Sequence, residues 1–269
     1  MIKAIVIPAR YGSQRFPGKP LVPIAGVSMI QRVWQSARQV TGVPCCVVAT
    51  DDERIADHVR SFGGDVVMTD PACENGTARV QAALEILDKK GLRVDAALNV
   101  QGDAVLTPPW VMQALVDPLG SYPVVTPAVQ LNPAQLRALQ DSKKTKPSSG
   151  TLVTFDQNHR ALYFSKTIIP FLRTVPDSGR IPVYRHIGLY GYTRGALSSW
   201  LKTPPTPLEQ AEQLEQLRLL ETGVPIQVVV VDYRGRTHAS IDHPGDVAEV
   251  EALLQREGDL WLNQTQGSI

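Results

Sequence analysis

The residues with the most chemical content crowd one short stretch. Arg10, Arg15 and Lys19 place three positive side chains within ten positions, interleaved with Gly12, Ser13 and Gly18. They follow an apolar run, Ala4 to Ile7, that reads as a buried strand stopping at Pro8. A glycine-bearing loop at the carboxyl end of a strand exposes backbone N–H groups, which suit phosphate oxygens. Arginine adds forked donors and lysine a mobile point charge. The combination points to a nucleoside triphosphate site; the competing reading is a solvated basic loop. It is not a P-loop, because Gly18-Lys19 is followed by Pro20, and it lacks the Gly-x-Gly-x-x-Gly dinucleotide fingerprint.

Three further constellations could complete such a site. Asn75-Gly76-Thr77 with Arg79 offers a helix N-cap whose amide can also bond a base or ribose. Asp103 closes the run Asn99-Val100-Gln101-Gly102-Asp103, where a carboxylate at a strand end is placed to hold Mg²⁺ on triphosphate oxygens. Asp242, just before His243 and Pro244, reads by itself as an acid favouring a helix N-terminus.

The elements that must position these groups alternate. Strands are expected at Ala4–Ile7, Cys45–Ala49, Asp65–Met68 and Ala96–Val100, with helices at Met29–Val40, Glu53–Ser61 and Thr77–Lys89. Such alternation predicts an α/β fold with a parallel sheet, helices on both faces and ligands beyond the carboxyl ends of the strands. Later, Lys143 to Gly150 reads as a charged mobile loop of solvated lysines. Thr151–Phe155 and Ala161–Phe164 read as paired strands. Thr206 and Glu209 form a capping box with Pro207 inside it, opening a helix that runs to Gly223. Val228–Val231 reads as a strand, Pro244 opens the last helix, to about Gln255, and the polar tail after Trp261 reads as frayed.

Composition excludes several classes. The chain has 269 residues, 43% hydrophobic and 20% charged, and a net charge of +1, so no global basic field argues for nucleic acid. Aromatic residues, at 6%, supply no stacking platform for single strands. The apolar runs are too short to span a bilayer, and the first strand begins too soon for a signal peptide, so no membrane insertion and a cytoplasmic location are expected. The odd count of three cysteines, Cys45, Cys46 and Cys73, fits a reducing compartment; the first two read as small buried hydrophobes, and Cys73 has no evident role.

The opening Pro8-Ala9-Arg10-x-Gly12-Ser13-x-Arg15-x-Pro17-Gly18-Lys19-Pro20-Leu21 resembles that of the sugar-acid cytidylyltransferases, above all the CMP-Kdo synthetases (3-deoxy-manno-octulosonate cytidylyltransferases). The likeness extends through Gln101-Gly102-Asp103, Leu162-Tyr163-Phe164-Ser165, Arg185-His186 with Tyr190 and Tyr192, and Glu209 to Arg218. It implies a three-layer α/β sandwich of the nucleotide-diphospho-sugar transferase type with a mostly parallel central sheet. One domain would span 1–269, with a β-rich insertion at about 120–205 used for a homodimer. It further implies CTP contacts from Pro8, Ala9, Arg10, Gly12, Ser13, Arg15, Lys19, Asn75, Gly76, Thr77, Arg79 and Gln101, and a sugar-acid site from Gln101, His186, Tyr190, Glu215 and Gln216. Arg10, Arg15, Lys19 and Asp103 would be catalytic, with Mg²⁺ on Asp103 and Asp242.

The implied reaction is attack of the anomeric hydroxyl of a 3-deoxy-2-ulosonic acid on the α-phosphorus of CTP, expelling pyrophosphate. Ala78, Ala104-Val105 and the 143–151 loop depart from the family pattern, and Lys166 stands where it has arginine. Two alternatives therefore stay open. One is the same chemistry on another ulosonic acid, an amino-Kdo or a phosphonate. The other is a non-catalytic nucleotide-binding paralogue.

Overall fold

The computed structural model describes residues 1–12, 16–241 and 243–260. It divides into two compact units: Met1–Asp117 with the chain from Tyr233 onward, and Pro118–Asp232.

The first unit begins with β1 (Lys3–Ala9) and a 3₁₀ turn at Lys19–Leu21. A two-residue hairpin, β2 (Pro23–Ile24) and β3 (Val27–Ser28), leads to α1 (Met29–Ala37). Then come β4 (Cys45–Thr50), α2 (Glu53–Ser61), β5 (Asp65–Met68), α3 (Gly76–Lys89), β6 (Ala96–Asn99) and α4 (Pro109–Val116). The strands β5-β4-β1-β6 lie side by side, all parallel. Ala4, Ile5, Val6 and Ile7 are at most 1% exposed, as expected of a strand covered on both faces. Because the strands are parallel, their carboxyl ends share one edge.

The expected bounds of α2 and β5 agree residue for residue with the structure. β1 does not stop at Pro8, as the sequence suggested. Its pairing with β6 ends at Val6–Asn99, so no amide is required of Pro8 on that side, while its partnership with β4 continues to Ala9. α1 ends three residues earlier than expected, at Ala37.

The second unit holds β7 (Val124–Gln130), α5 (Pro133–Thr145), β8 (Leu152–Phe155), β9 (Ala161–Ser165), β10 (Tyr184–His186), β11 (Tyr190–Thr193), α6 (Arg194–Lys202), α7 (Pro207–Glu212), α8 (Gln216–Glu221) and β12 (Ile226–Val230). Here β7 is central: β12 pairs with it in parallel, β10 and β11 antiparallel, and β8 links β10 to β9. The chain then returns to the first unit and closes with α9 (Asp246–Glu257).

Two expectations fail in this unit. The first three residues of the supposed loop, Lys143 to Thr145, are the last turn of α5. That helix is announced by an Asn132/Gln135 capping box with Pro133 at its start, and Leu136 and Leu139 face the core. Lys143 is half-buried rather than free in solvent: its Nζ donates to the carbonyls of Ser149 at 2.5 Å, Gly150 at 3.1 Å and Lys166 at 2.5 Å. The helix expected from Thr206 to Gly223 is two helices. Gln213, in the left-handed region at φ 54°, breaks it. Glu212 therefore does not share a helix face with Glu215, Gln216 and Leu219; it turns to accept from Ser165 Oγ at 2.6 Å and Lys166 N at 2.9 Å.

Candidate active site

In the first unit, a cavity of about 270 Å³ opens where β1, α3 and the chain beyond β6 meet. Pro8, Ala9, Arg10, Lys19, Asn75, Gly76, Arg79, Gln101 and Asp103 all line it. Gly102 lets the walls close, while a side chain at Gly76 would meet only ordinary contacts. A Cβ on Gly102 would lie 2.9 Å from the Pro8 carbonyl oxygen, and one on Gly76 would lie 3.4 Å from Pro8 Cγ and 3.5 Å from Gln101 Oε1. Gly102 thus draws the chain after β6 against β1 and turns Asp103 into the cavity.

Lys19 meets it there, with Nζ 2.6 Å from Asp103 Oδ2. The lysine is set by Gly18, whose φ of 69° caps the 3₁₀ turn and whose N–H donates to the Tyr11 carbonyl at 2.9 Å. Asn75 caps α3, its side chain accepting from Ala78 N at 2.9 Å, so the first N–H groups of that helix face the same cavity. Arg79 lines the cavity but gives its guanidinium to protein partners, Thr69 Oγ1 at 2.7 Å and Asp51 Oδ2 at 2.9 Å.

Gly12 and Thr77 are not among the lining residues, and Thr77 is buried. Ser13, Arg15 and Asp242 lie outside the described residues, as does the tail after Trp261. Sequence reasoning left Cys73 without a place; it lines this cavity beside Glu74, with a thiol that burial holds above its usual range. Cys45 and Cys46 are buried in β4, and burial pushes the Cys46 thiol up to about 12.

The residues expected to hold a sugar acid assemble in the second unit, Gln101 apart. His186 is buried, edge-on to Phe164 and tilted against Tyr190 at ring separations of 5.0 and 5.4 Å. The Thr126 hydroxyl donates to the Leu189 carbonyl at 2.7 Å, so at 2.8 Å it accepts from His186 Nε2, which places a proton on that nitrogen. Burial, then the charges of Tyr192 and Glu215, hold the Tyr190 phenol well above its ordinary range, so it stays neutral. Glu215 is exposed as a residue, yet its carboxyl is partly shielded from solvent. Loss of solvent, then the charge of Glu209, raises its carboxyl.

Gln216 is 5% exposed, and its Nε2 has no hydrogen-bond partner among the described residues. A buried amide without a partner is costly and calls for a ligand or water. A buttress the sequence did not reveal fixes this pair of helices. Arg218 forks onto the buried Glu209 at 2.7 and 2.5 Å and lies over the Trp200 ring at 4.3 Å.

Residues 4–226 match the Cytidylyltransferase family model. The 3-deoxy-manno-octulosonate cytidylyltransferase of Maricaulis maris is 50% identical over 258 residues, covering 95% of this chain and 98% of that one. The 8-amino-3,8-dideoxy-manno-octulosonate cytidylyltransferase of Shewanella woodyi is 41% identical, covering 93% and 97%. Among solved structures, a CMP:2-keto-3-deoxy-manno-octonic acid synthetase complexed with CTP superposes with a TM-score of 0.82 at 35% identity, over 96% of this chain and 100% of that one. The α/β class and nucleotidyltransferase architecture expected from the sequence are those of that structure.

Proposed function

The chain belongs to the cytidylyltransferase family, and from that premise we propose that it transfers CMP from CTP to the anomeric hydroxyl of 3-deoxy-manno-octulosonate and releases pyrophosphate. The observation that carries this reading is the convergence of Arg10, Lys19, the α3 N-terminus and Asp103 on one cavity at the carboxyl edge of a parallel sheet. Cations and free N–H groups there suit a triphosphate.

In the reaction the hydroxyl oxygen bonds to the α-phosphorus, the bond from that phosphorus to the bridging oxygen breaks, and the hydroxyl proton is released. Lys19 and Arg10 hold the phosphates and stabilise the charge that builds on departing pyrophosphate. His186, Tyr190, Glu215 and Gln216 hold the acid's hydroxyls and carboxylate, and Arg15 adds a further cation to the phosphate loop.

Mg²⁺ is the implied cofactor. Among the described residues no group of three or more His, Cys, Asp or Glu could cage a metal. Asp103, with one oxygen on Lys19 and a side chain 33% exposed, still fits Mg²⁺, which commonly uses one or two carboxylates together with substrate phosphates. Asp103 and Asp242 are the proposed ligands, and the bound ion would neutralise triphosphate charge.

Among the described residues no helix is long and apolar enough to cross a membrane. We assign the chain to the cytoplasm and to a homodimer formed through the region at about 120–205. Measuring pyrophosphate release with CTP, Mg²⁺ and 3-deoxy-manno-octulosonate tests the reading, and silence with that acid would refute it. The likeness to the Shewanella woodyi enzyme favours the 8-amino analogue as the second acceptor to try.

A further inference from the structure

The turn between β4 and α2 belongs to none of the constellations above, yet it contacts Arg79, which lines the cavity, and, through Arg54, Tyr11, next to Arg10. Asp51 holds Arg79, which lines the cavity. Asp52 caps α2 and holds Arg54, accepting from its backbone N at 3.0 Å, its Nε at 2.9 Å and its Nη2 at 2.6 Å. This fork fixes the plane of the guanidinium. Its Cζ lies 3.4 Å from the centroid of the Tyr11 ring. The same ring packs on Gly18, where an added Cβ would come within 3.2 Å of Tyr11 Cε2, Cζ and the hydroxyl oxygen. The Tyr11 carbonyl also accepts from Gly18 N at 2.9 Å. Tyr11 and Gly18 are the immediate neighbours of Arg10 and Lys19, both of which line the cavity.

We propose that Arg54 is a positioning residue for CTP: stacked on Tyr11, it fixes the Tyr11–Gly18 contact and with it the places of Arg10 and Lys19. The proposal rests on the nucleotidyltransferase reading above. Arg54 has a side chain 61% exposed, so its ion pair with Asp52 alone contributes little to stability. What distinguishes it from an ordinary surface arginine is the aromatic face it covers. Lysine cannot replace it, having neither the fork nor the flat face.

The test is CTP binding by calorimetry, with steady-state kinetics, on the full chain and on R54A, R54K, Y11L and the double variant R54A/Y11L. R60A is the control, because Arg60 is an exposed cation on the same helix whose ion pairs among the described residues are with Glu53 and Asp57. R54A should weaken CTP binding about two- to fivefold, the range of a partly exposed cation–π contact. The change should fall on KM for CTP more than on kcat or on KM for the acid. R54K should behave like R54A, and the double variant should bind no worse than Y11L. R60A should bind CTP as the unaltered chain does. Equal CTP affinity in R54A, full rescue by R54K, or additive losses in the double variant would overturn the proposal. So would a loss of thermal stability in R54A with CTP affinity kept. If the unaltered chain binds no CTP, the functional reading itself falls; if it binds and R54A binds equally, only the role of Arg54 falls.

Discussion

Lys19 and Asp103, 84 positions apart in sequence, meet at 2.6 Å between Nζ and Oδ2. The contact joins the loop after β1 to the loop after β6, and both side chains are accessible from the cavity. Each neutralises the other until phosphate oxygens arrive to compete for the ammonium. Asp103→Asn keeps the size of the side chain and removes its charge. It should cut turnover by about a hundredfold or more, with the thermal midpoint kept, since the group is partly solvated. Lys19→Met should weaken CTP binding as well as turnover. Pyrophosphate release and calorimetry check both, and an active Asp103→Asn would remove the carboxylate from the mechanism.

Gly102 has no room for a side chain, because a Cβ would sit 2.9 Å from a backbone oxygen of β1. Gly102→Ala should push the two strand ends apart, destabilise the fold by about 1–3 kcal/mol and reduce turnover together with stability. Urea unfolding and activity measured on one preparation would show whether the losses run together.

Arg79 is nearly buried, with 4% of its side chain exposed against 17% for Asp51. Arg79→Met should cost about 3–5 kcal/mol, because Asp51 keeps a charge with no partner in a confined place. Restoring neutrality with Asp51→Asn in the same chain should recover part of that loss, a pattern that chemical denaturation of both variants would reveal.

Glu215 should impose an acid limb on sugar-acid binding. Loss of solvent and then the charge of Glu209 raise its carboxyl above the ordinary 4.5. As pH falls, this group takes up its proton earlier than a free glutamate and ceases to be a purely accepting group. KM for the sugar acid should therefore rise as pH drops through a point above 4.5, while KM for CTP changes less. The folded state holds this proton more tightly than the unfolded chain does, so the group's contribution to stability declines as pH rises through the same window. Glu215→Gln should raise KM and flatten the acid limb; a limb that persists in that variant belongs to another group.

Gln216 offers a test in which stability and function move apart. Its Nε2 is buried without a partner among the described residues, so Gln216→Leu removes an unmet donor and should leave stability equal or greater. If that amide bonds the sugar acid, KM for the acid should rise by at least about tenfold, the size of one lost hydrogen bond in a dry site. Thermal melting and acceptor titration decide it, and an unchanged KM would leave the amide to a structural water.

What the sequence determined by itself was local in origin. Apolar runs and helical periodicity announced β1, α2, β5 and α3, because covered strands and one-sided helices leave their period in neighbouring residues. Alternation of these elements was enough for the α/β class, and the parallel edge told where Arg10, Lys19, Gly76 and Asp103 had to gather. The tertiary structure decided what depends on distant partners. Pro8 could remain in β1 only because β6 ends beside Val6. Gln213 broke a helix that propensity favoured, which separated Glu212 from Glu215. Lys143 became an internal tie because carbonyls of the loop just after its helix, Ser149 and Gly150, and of the more distant Lys166 converge on its ammonium. Arg54 met Tyr11, and Thr126 fixed a proton on His186, through side-chain contacts that leave no period in the sequence. Local pattern records which face of an element is covered; it does not record which distant group covers it.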